Sequence, residues 1–417
     1  MSILIKNVLL NGKKTDVYIE ENMITSIGTK NKAEFIIDGS GKAIIPGFVN
    51  AHTHAAMTLL RGYADDMPLK PWLEEKIWPL EAKLRPEDVY WGTRLACIEM
   101  IKSGITCFND MYFFPEETAR AADDSGMRAI VGPVFIDLMD RSRAEEEIKR
   151  EEKFFKASKK LSNRITPALN PHSVYSVSRE SLEWCRDFAR ENDLPVHIHL
   201  SETKAENEEC IKRTGKTPTA YLDEIGLLGP KTVAAHCVWL SDNDMKIIAK
   251  RGVKVSHNPV SNMKLSTGRA MPFEKMLSLG IIVALGTDGC AANNCLDMFQ
   301  TMKCAALLQK FIGMPTHASA QKVFNAATLG GAMAFNLKAG QIREGFLADV
   351  VLIDLNDVRM VPNHNLISNI VYAASPTCID TVICDGKILM ESGIIPDEDK
   401  VIEKARKVAE NLIERAT

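Results

Sequence analysis

Two histidines, His52 and His54, alternate along the segment GFVNAHTH, which has the composition of a buried strand. Side chains two residues apart on a strand point to the same face, so the two imidazoles lie about 7 Å apart. His199 in HIHLSE and Asp288 in LGTDG complete a set of three imidazoles and one carboxylate. This donor set suits Zn²⁺, and ligand type alone leaves Fe²⁺ and Mn²⁺ open. We predict that His52, His54, His199 and Asp288 bind a divalent metal.

Each of these assignments has an ordinary structural alternative. His197 shares a strand face with His199 but lies one layer deeper, so His199, nearer the strand end, is the preferred ligand. Asp288 could instead cap a helix N-terminus. The role of His257 stays open between a residue that supports the metal site and a simple hydrogen-bonding residue at a strand end.

The elements that would position these residues are short apolar strands alternating with longer amphipathic helices. Eight such strands run from Pro46 to about Gly289, close to the roughly 250 residues of a (β/α)₈ barrel. Each strand begins apolar and ends in a polar residue, in chain order His54, Asp110, Asp137, His172, Glu202, His236, His257 and Asp288. Barrel enzymes carry their catalytic groups at the carboxyl ends of the strands. A doubly wound sheet gives the same alternation but does not explain the histidines at strand ends.

Both ends of the chain have a different pattern. Short alternating strands separated by turns occupy the first forty-odd residues and return in ADVVLIDL and TVICDGKILME, and a helix is predicted from about Asp397. We predict that residues 1–45 and 345–417 form one small composite β-sandwich domain, with the helix, and that residues 46–344 form the catalytic barrel.

The composition favours a soluble enzyme that acts on a small molecule. The chain is 46% apolar and 25% charged, with a formal net charge of −3 and no basic stripe, which argues against nucleic acid and membrane partners. No apolar run reaches the ~18 residues of a membrane span. The ten cysteines are scattered without a CxxC pair, which favours a reducing cytoplasm. We expect a homo-oligomer.

A resemblance to a known family rests on the order of four motifs. GFVNAHTH, HIHLSE, AAHCV and LGTDG resemble the amidohydrolase superfamily, which combines a barrel with a composite β-sandwich. The segments HTHAAMTLLRGYADDMPLKPWLEEKIWPLE, SHNPVSNMKL and LGTDGCAANN are similar to 5-methylthioadenosine/S-adenosylhomocysteine deaminases and to archaeal 5′-deoxyadenosine deaminases. The resemblance implies hydrolytic deamination of these 5′-altered adenosines, and of adenosine itself. Related binuclear barrels use a carboxylated lysine on the fourth strand. Here ITPALNPHS has no lysine, so one metal per chain is expected.

Deamination of a purine needs an activated water and a proton donor for the ring. A bound metal lowers the pKa of its water from 15.7 to ~7, which supplies hydroxide for attack at C6. Glu202, three residues after His199, is expected to protonate N1. Asp288 would accept the proton of the water and pass it to the leaving amine, and His236 would orient the hydroxide. The resemblance implies the same roles.

The substrate pocket is predicted around the Trp-rich excursion after the first barrel strand. Trp72 and Trp78 could cover the site, and Glu81 matches the position where family members bind the two ribose hydroxyls. His172 is expected to contact the nucleoside.

At the 5′ end, the resemblance implies that some family members use an arginine for the homocysteine carboxylate, at the position where this chain has Pro133. Arg143, or alternatively Arg141, could substitute. If neither arginine reaches the substrate, 5′-deoxyadenosine and methylthioadenosine should compete well with S-adenosylhomocysteine.

Two other functions remain as alternatives. The first is another amidohydrolase that acts on guanine, cytosine or a triazine, and Glu81 with the Trp-rich excursion argues against it because both imply a ribose. The second is a non-catalytic barrel used for assembly, which the complete set of four metal ligands with Glu202 and His236 disfavours. Motifs for zinc proteases, phosphate loops and dinucleotide turns are missing.

Overall fold

The computed structural model describes residues 1–29 and 31–416. The strands before the barrel region are β1 Ser2–Leu10, β2 Lys13–Glu20, β3 Met23–Ile27, β4 Phe35–Asp38 and β5 Lys42–Pro46. The parallel strands that follow are β6 Phe48–Thr53, β7 Ile105–Tyr112, β8 Arg128–Phe135, β9 Ile165–Pro167, β10 Asn170–Pro171, β11 Val196–Leu200, β12 Thr232–His236, β13 Lys254–His257 and β14 Val283–Leu285. The last three strands are β15 Val350–Asp354, β16 Ile379–Cys384 and β17 Lys387–Met390.

Helices connect the parallel strands and cover them. The α-helices are α1 Leu69–Pro71, α2 Trp78–Glu81, α3 Pro86–Lys102, α4 Pro115–Asp124, α5 Arg141–Ser158, α6 Arg179–Glu191, α7 Lys204–Thr214, α8 Pro218–Ile225, α9 Asp242–Arg251, α10 Pro259–Lys264, α11 Phe273–Ser278, α12 Met298–Ile312, α13 Ala320–Asn325, α14 Gly331–Ala334, α15 Leu366–Tyr372 and α16 Glu398–Ala416. Shorter 3₁₀ turns cover Ala55–Leu60 and Pro376–Cys378, and π-helical turns cover Trp72–Ile77 and Ala326–Gly330. Among the residues described, no helix has the length and apolar character needed to cross a membrane.

Strands β6 to β14 pair in parallel, as expected for a mixed α/β fold of the TIM-barrel type. One run of strands has the order β10-β8-β7-β6, with β9 also on β8, and the other has the order β11-β12-β13-β14. A parallel bridge between Leu169 and Val196 joins the two runs. On the other side, the Asp288 amide donates to the His52 carbonyl at 3.0 Å, which ties the end of β14 to β6.

The predicted fourth strand, ITPALNPHS, is split into β9 and β10. Pro167 has no N–H to donate, and the Ala168 carbonyl approaches β8 so closely that a Cβ on Gly132 would lie 2.0 Å from its oxygen. The Asn170 side chain fills the break by donating to the Gly132 carbonyl at 2.8 Å and to the Asp110 carbonyl at 3.0 Å.

Strands from both ends of the chain pair in a single eight-stranded sheet. Its order is β17-β16-β15-β5-β1-β2-β3, with β4 on β1. The central contact is antiparallel and pairs Lys42–Pro46 with Val350–Asp354. One face of the sheet buries Ile3, Ile5, Val350 and Leu352. The predicted helix is α16, while β4 and β5 were not foreseen; the predicted domain boundaries stay a prediction.

Candidate active site

The predicted metal ligands and His236 lie at the carboxyl ends of four parallel strands. His52 and His54 are on or directly after β6, His199 is on β11, His236 ends β12, and Asp288 follows β14. The structure brings all five together: the ligand atoms of His52, His199 and His236 lie within 4.8 Å of one another, as do those of His52, His54 and Asp288. Four distant segments therefore converge because parallel strands end at the same edge.

The imidazoles are held in an orientation that frees one nitrogen of each ring. His54 Nδ1 donates to the Met111 carbonyl at 2.6 Å, and His199 Nδ1 donates to the His172 carbonyl at 2.8 Å. His52 Nδ1 shares a hydrogen bond of 2.7 Å with His197 Nε2. The Nε2 atoms of His52 and His54 then face Asp288 Oδ1 at 3.5 and 3.4 Å.

This arrangement fits a divalent metal. His52 Nε2 is buried and lacks a hydrogen-bond partner among the described residues, a costly state that a bound cation would relieve. Burial lowers the pKa of His52 to about 4, so its ring is neutral, the form that binds metal. His197 supports the ring of His52 from behind, as the residues around metal ligands commonly do.

Helix α10 fixes two further members of the cluster. Ser261 Oγ donates to Asp288 Oδ2 at 2.5 Å, and Asn262 Oδ1 accepts from His236 Nδ1 at 2.8 Å. Both tethered residues have left-handed backbone conformations, with φ of 71° at His236 and 64° at Asp288. Such conformations are costly for residues other than glycine and concentrate at functional sites.

Glu202 is buried beside His236, with 3.7 Å between Oε1 and His236 Nδ1. Burial raises the pKa of Glu202. Its loop is held by Glu206, whose carboxylate accepts from the amides of Ser201 and Glu202 at 2.8 and 2.7 Å. Thr203 caps the N-terminus of α7 directly afterwards, which fixes the strand-to-helix exit that carries Glu202.

The comparison with known proteins agrees with this geometry. A family model described as "Amidohydrolase family" matches residues 43–389. The chain belongs to the amidohydrolase family. It is 50% identical to a 5′-deoxyadenosine deaminase of Methanoregula boonei, over 100% of this chain and 96% of the relative. It is also 50% identical to the 5-methylthioadenosine/S-adenosylhomocysteine deaminase 1 of Archaeoglobus fulgidus, over 98% of this chain and 99% of the relative.

Among solved structures, this amidohydrolase is similar to an adenosine deaminase from Xanthomonas campestris with bound zinc. The TM-score is 0.94 at 34% identity, and the match covers 99% of this chain and 98% of that one.

In this amidohydrolase a cavity opens directly above the cluster. Residues from the excursion after β6 and from the strand ends line it, among them Trp72, Trp78, Glu81, Tyr112, His172, Tyr175 and Glu202. Trp72 is buried, and its indole N–H donates to the Ala64 carbonyl at 2.9 Å, which pins the excursion over the site. His172 lines the cavity, and its Nδ1 is held by the Ser176 hydroxyl at 2.7 Å, while its contact with the nucleoside stays a prediction.

Glu81 and Tyr112 face one another at one end of the cavity. Burial raises the pKa of Glu81 to about 7, and the nearby Tyr112 hydroxyl acts in the opposite direction. Burial and Glu81 together raise the pKa of Tyr112 well above its usual range. Within the part of the chain that the structure describes, Glu81 Oε1 and the Tyr112 hydroxyl are both buried without a hydrogen-bond partner.

A groove of about 960 Å³ continues from the cavity past Trp78 and Glu81. Phe113, Phe114, Ile136 and Leu138 form its apolar wall, and α5 forms its charged wall. Arg143 lines this groove rather than the cavity. On the same wall, Arg150 Nη1 contacts the two Glu147 carboxylate oxygens at 2.9 and 2.8 Å.

Three residues that the sequence analysis singled out, Arg141, Arg143 and His257, lie outside the cluster just described. Arg141 is almost fully exposed beside Glu145, and its substrate role stays a prediction, as does that of Arg143. His257 is fully buried, and neither ring nitrogen has a partner among residues 1–29 and 31–416. Sequence reasoning missed Tyr112, Glu206, Ser261 and Asn262. The last two lie inside SHNPVSNMKL, so that motif was the available signal for them.

Proposed function

We propose that this amidohydrolase replaces the 6-amino group of 5′-altered adenosines by a carbonyl and releases ammonia. The observation that carries the proposal is that one cavity joins a His/Asp cluster, a buried Glu202 and Glu81. The names of the relatives that are 50% identical over nearly the whole chain support this substrate class. The zinc-bound adenosine deaminase of similar fold supports the reaction type.

The metal would be held by His52, His54, His199 and Asp288, with His236 beside them. We infer one ion per chain, most simply zinc, although the same donors accept iron or manganese. When bound, such an ion lowers the pKa of a water molecule to ~7 and so makes it nucleophilic at neutral pH.

The residues of the chain then handle the protons. Glu202 donates a proton to N1 while the water oxygen adds to C6, and Asp288 takes a proton from that water. Asp288 passes this proton to the amine, which leaves as ammonia. The proton left on the C6 oxygen returns to Glu202, so each residue ends in its starting state. His236, tethered to Asn262, orients the attacking water.

Sugar recognition is assigned to the far end of the cavity. The Glu81 carboxylate accepts from the ribose diol, and His172 contacts the nucleoside. The groove beyond Glu81 offers the 5′ substituent an apolar wall, and its charged wall carries Arg143, Lys153 and the Glu147–Arg150 pair. If Arg143, which lines the same groove, does not reach the homocysteine carboxylate, we expect 5′-deoxyadenosine and methylthioadenosine to compete well with S-adenosylhomocysteine.

The test uses the metal-replete protein with a panel of these three nucleosides, adenosine and free adenine. The shift from adenosine to inosine absorbance, with stoichiometric ammonia, is expected for the nucleosides and not for adenine. Turnover of guanine, cytosine or a triazine in place of the nucleosides would contradict the proposal. A strong preference for S-adenosylhomocysteine would contradict only the interpretation of Pro133, that no arginine binds the homocysteine carboxylate.

The domain organisation and the oligomeric state are also proposals. We infer that residues 1–45 and 345–417 form a β-sandwich domain around the shared sheet, attached to a (β/α)₈ barrel of residues 46–344. A homo-oligomer is proposed, and sedimentation velocity will measure it.

A further inference from the structure

We propose that Tyr112 is a sugar-recognition residue whose hydroxyl donates to the ribose diol that Glu81 binds. This inference rests on the proposed function. It assigns a second side chain to the part of the substrate that distinguishes a ribonucleoside from a free base or a deoxynucleoside. No feature of the sequence singles out Tyr112.

The position of the hydroxyl is the first reason. Tyr112 is the last residue of β7, is only 2% exposed, and lines the cavity next to Glu81. Its ring is fixed between His54, with 6.2 Å between ring centroids, and Phe113, with 5.4 Å. The ring is thus an immobile support that holds a polar atom at a defined point of the cavity wall.

The second reason is that two neighbouring polar atoms lack partners. Across the residues that the structure describes, neither the buried Tyr112 hydroxyl nor the buried Glu81 Oε1 completes a hydrogen bond of good geometry, although the two groups are close enough for each to shift the pKa of the other. A buried polar atom without a partner is costly, so two adjacent ones in one cavity wall indicate the place of a polar ligand group.

The donors and acceptors of a vicinal diol match this pair. An ionised carboxylate only accepts, and it can take the O–H of both ribose hydroxyls. Each hydroxyl oxygen still has lone pairs, which require a donor. A phenol supplies one O–H, so Glu81 and Tyr112 together satisfy the diol better than Glu81 alone.

The experiment compares Tyr112→Phe with the wild-type holoenzyme on adenosine, 2′-deoxyadenosine and 3′-deoxyadenosine. The substitution keeps the ring and removes one oxygen. We expect KM for adenosine to rise about 3- to 10-fold, the loss of one neutral hydrogen bond, with kcat nearly unchanged. The rise should disappear for at least one deoxynucleoside, because the partner hydroxyl is then missing in the substrate.

Tyr175→Phe is the matched control, because Tyr175 lines the same cavity beside His172, with 5.7 Å between ring centroids. Any effect of that substitution should be equal for the three substrates. Equal effects of Tyr112→Phe on all three, or no effect, would overturn this inference and leave the deaminase proposal intact. Failure of the wild type to release ammonia from any nucleoside would overturn both. Thermal midpoint and metal content establish that each variant is folded and loaded.

Discussion

Two clusters of buried charged groups lie at opposite ends of the parallel strands, and they are built differently. At the start of β8, Arg128 reaches Asp349 at 2.9 Å and Asp385 at 2.9 Å, and the Asp385 amide also donates to Asp349 at 2.7 Å. This anchoring cluster joins the parallel strands to the sheet formed by the chain ends. At the carboxyl edge, by contrast, His52, Glu81 and Tyr112 each keep a buried polar atom without a partner among the described residues.

The difference separates stability from function. A buried ion pair with complete hydrogen bonding offsets its desolvation cost, whereas a buried group without partners lowers stability until a ligand completes it. The amino-terminal face of a barrel is generally the stabilising one, and the carboxyl face carries the chemistry. Substitutions in the two clusters should therefore affect different measurements.

The largest expected effect is on catalysis. Glu202→Gln should lower kcat by about 10²–10⁴-fold, because an amide cannot deliver the proton to N1. Metal content and thermal midpoint should stay at wild-type values. Glu208→Gln, an exposed position on α7, is the control. Near-normal turnover by Glu202→Gln would remove this residue from the mechanism.

A substitution in the anchoring cluster should lower the free energy of unfolding and leave the activity of the folded protein unchanged. Arg128→Ala leaves the buried Asp349 without its cation and leaves Asp385 only the longer contact with Arg164 at 3.7 Å, so it should cost about 3–5 kcal/mol. The unfolding midpoint in urea measures this, and the activity of the folded fraction should not change. Arg251→Ala breaks an exposed pair with Asp223 and should cost about 1 kcal/mol or less. Equal costs for the two substitutions would mean that burial of the cluster contributes little.

A smaller effect is expected where helix α10 supports the metal site. Ser261→Ala removes the hydroxyl that donates to Asp288 and should weaken zinc affinity about 10-fold. Competition with a chelator measures the zinc affinity directly, without an activity assay. Ser278→Ala, an exposed serine that bonds only its own helix, should have no effect. An unchanged affinity in Ser261→Ala would show that Asp288 needs no such support.

The smallest expected effect is on thermal stability, and it tests whether a buried polar atom without a hydrogen-bond partner is enough to indicate a functional site. Glu151 is buried in α5 outside the cavity, and burial together with Glu147 raises its pKa well above the usual range, against the opposing effect of Arg150. Cys185 is the other titratable group that faces it. Above the ordinary pKa, the folded chain keeps a proton that the unfolded chain releases, so stability falls as pH rises.

Glu151→Gln should therefore raise the thermal midpoint by about 2 °C at pH 8 and leave it unchanged at pH 4. Activity should stay the same at both pH values. A lower midpoint at pH 8 would mean that the ionised carboxylate is stabilised in the fold.

The sequence predicts the elements whose pattern is local. The alternating strands and the His-x-His pair show their periodicity within a few residues, and the structure contains both. It does not predict β4, where Phe35, Ile36 and Asp38 are exposed and only Ile37 is buried, so the pattern is too short. Nor does it predict the split of the fourth strand, which depends on how closely Gly132 approaches Ala168.

The supporting residues of the site escape prediction for a related reason. Ser261 meets Asp288, Asn262 meets His236, and Tyr112 faces Glu81 only after distant segments have packed together. Residue type alone leaves such side chains as ordinary serines, asparagines and tyrosines. Arg143 lines the adjoining groove, and its contact with the 5′ substituent stays a prediction.

The pairing of β5 with β15 has a consequence for synthesis on the ribosome. Strand β5 spans Lys42–Pro46, and its neighbour on one side spans Val350–Asp354, so about three hundred residues are translated before that edge is covered. Over the same interval Arg128 cannot form its ion pairs, because Asp349 and Asp385 have not yet been synthesised. The nascent chain thus carries an open strand edge late into translation, and we expect chaperones that shield such edges to recognise it.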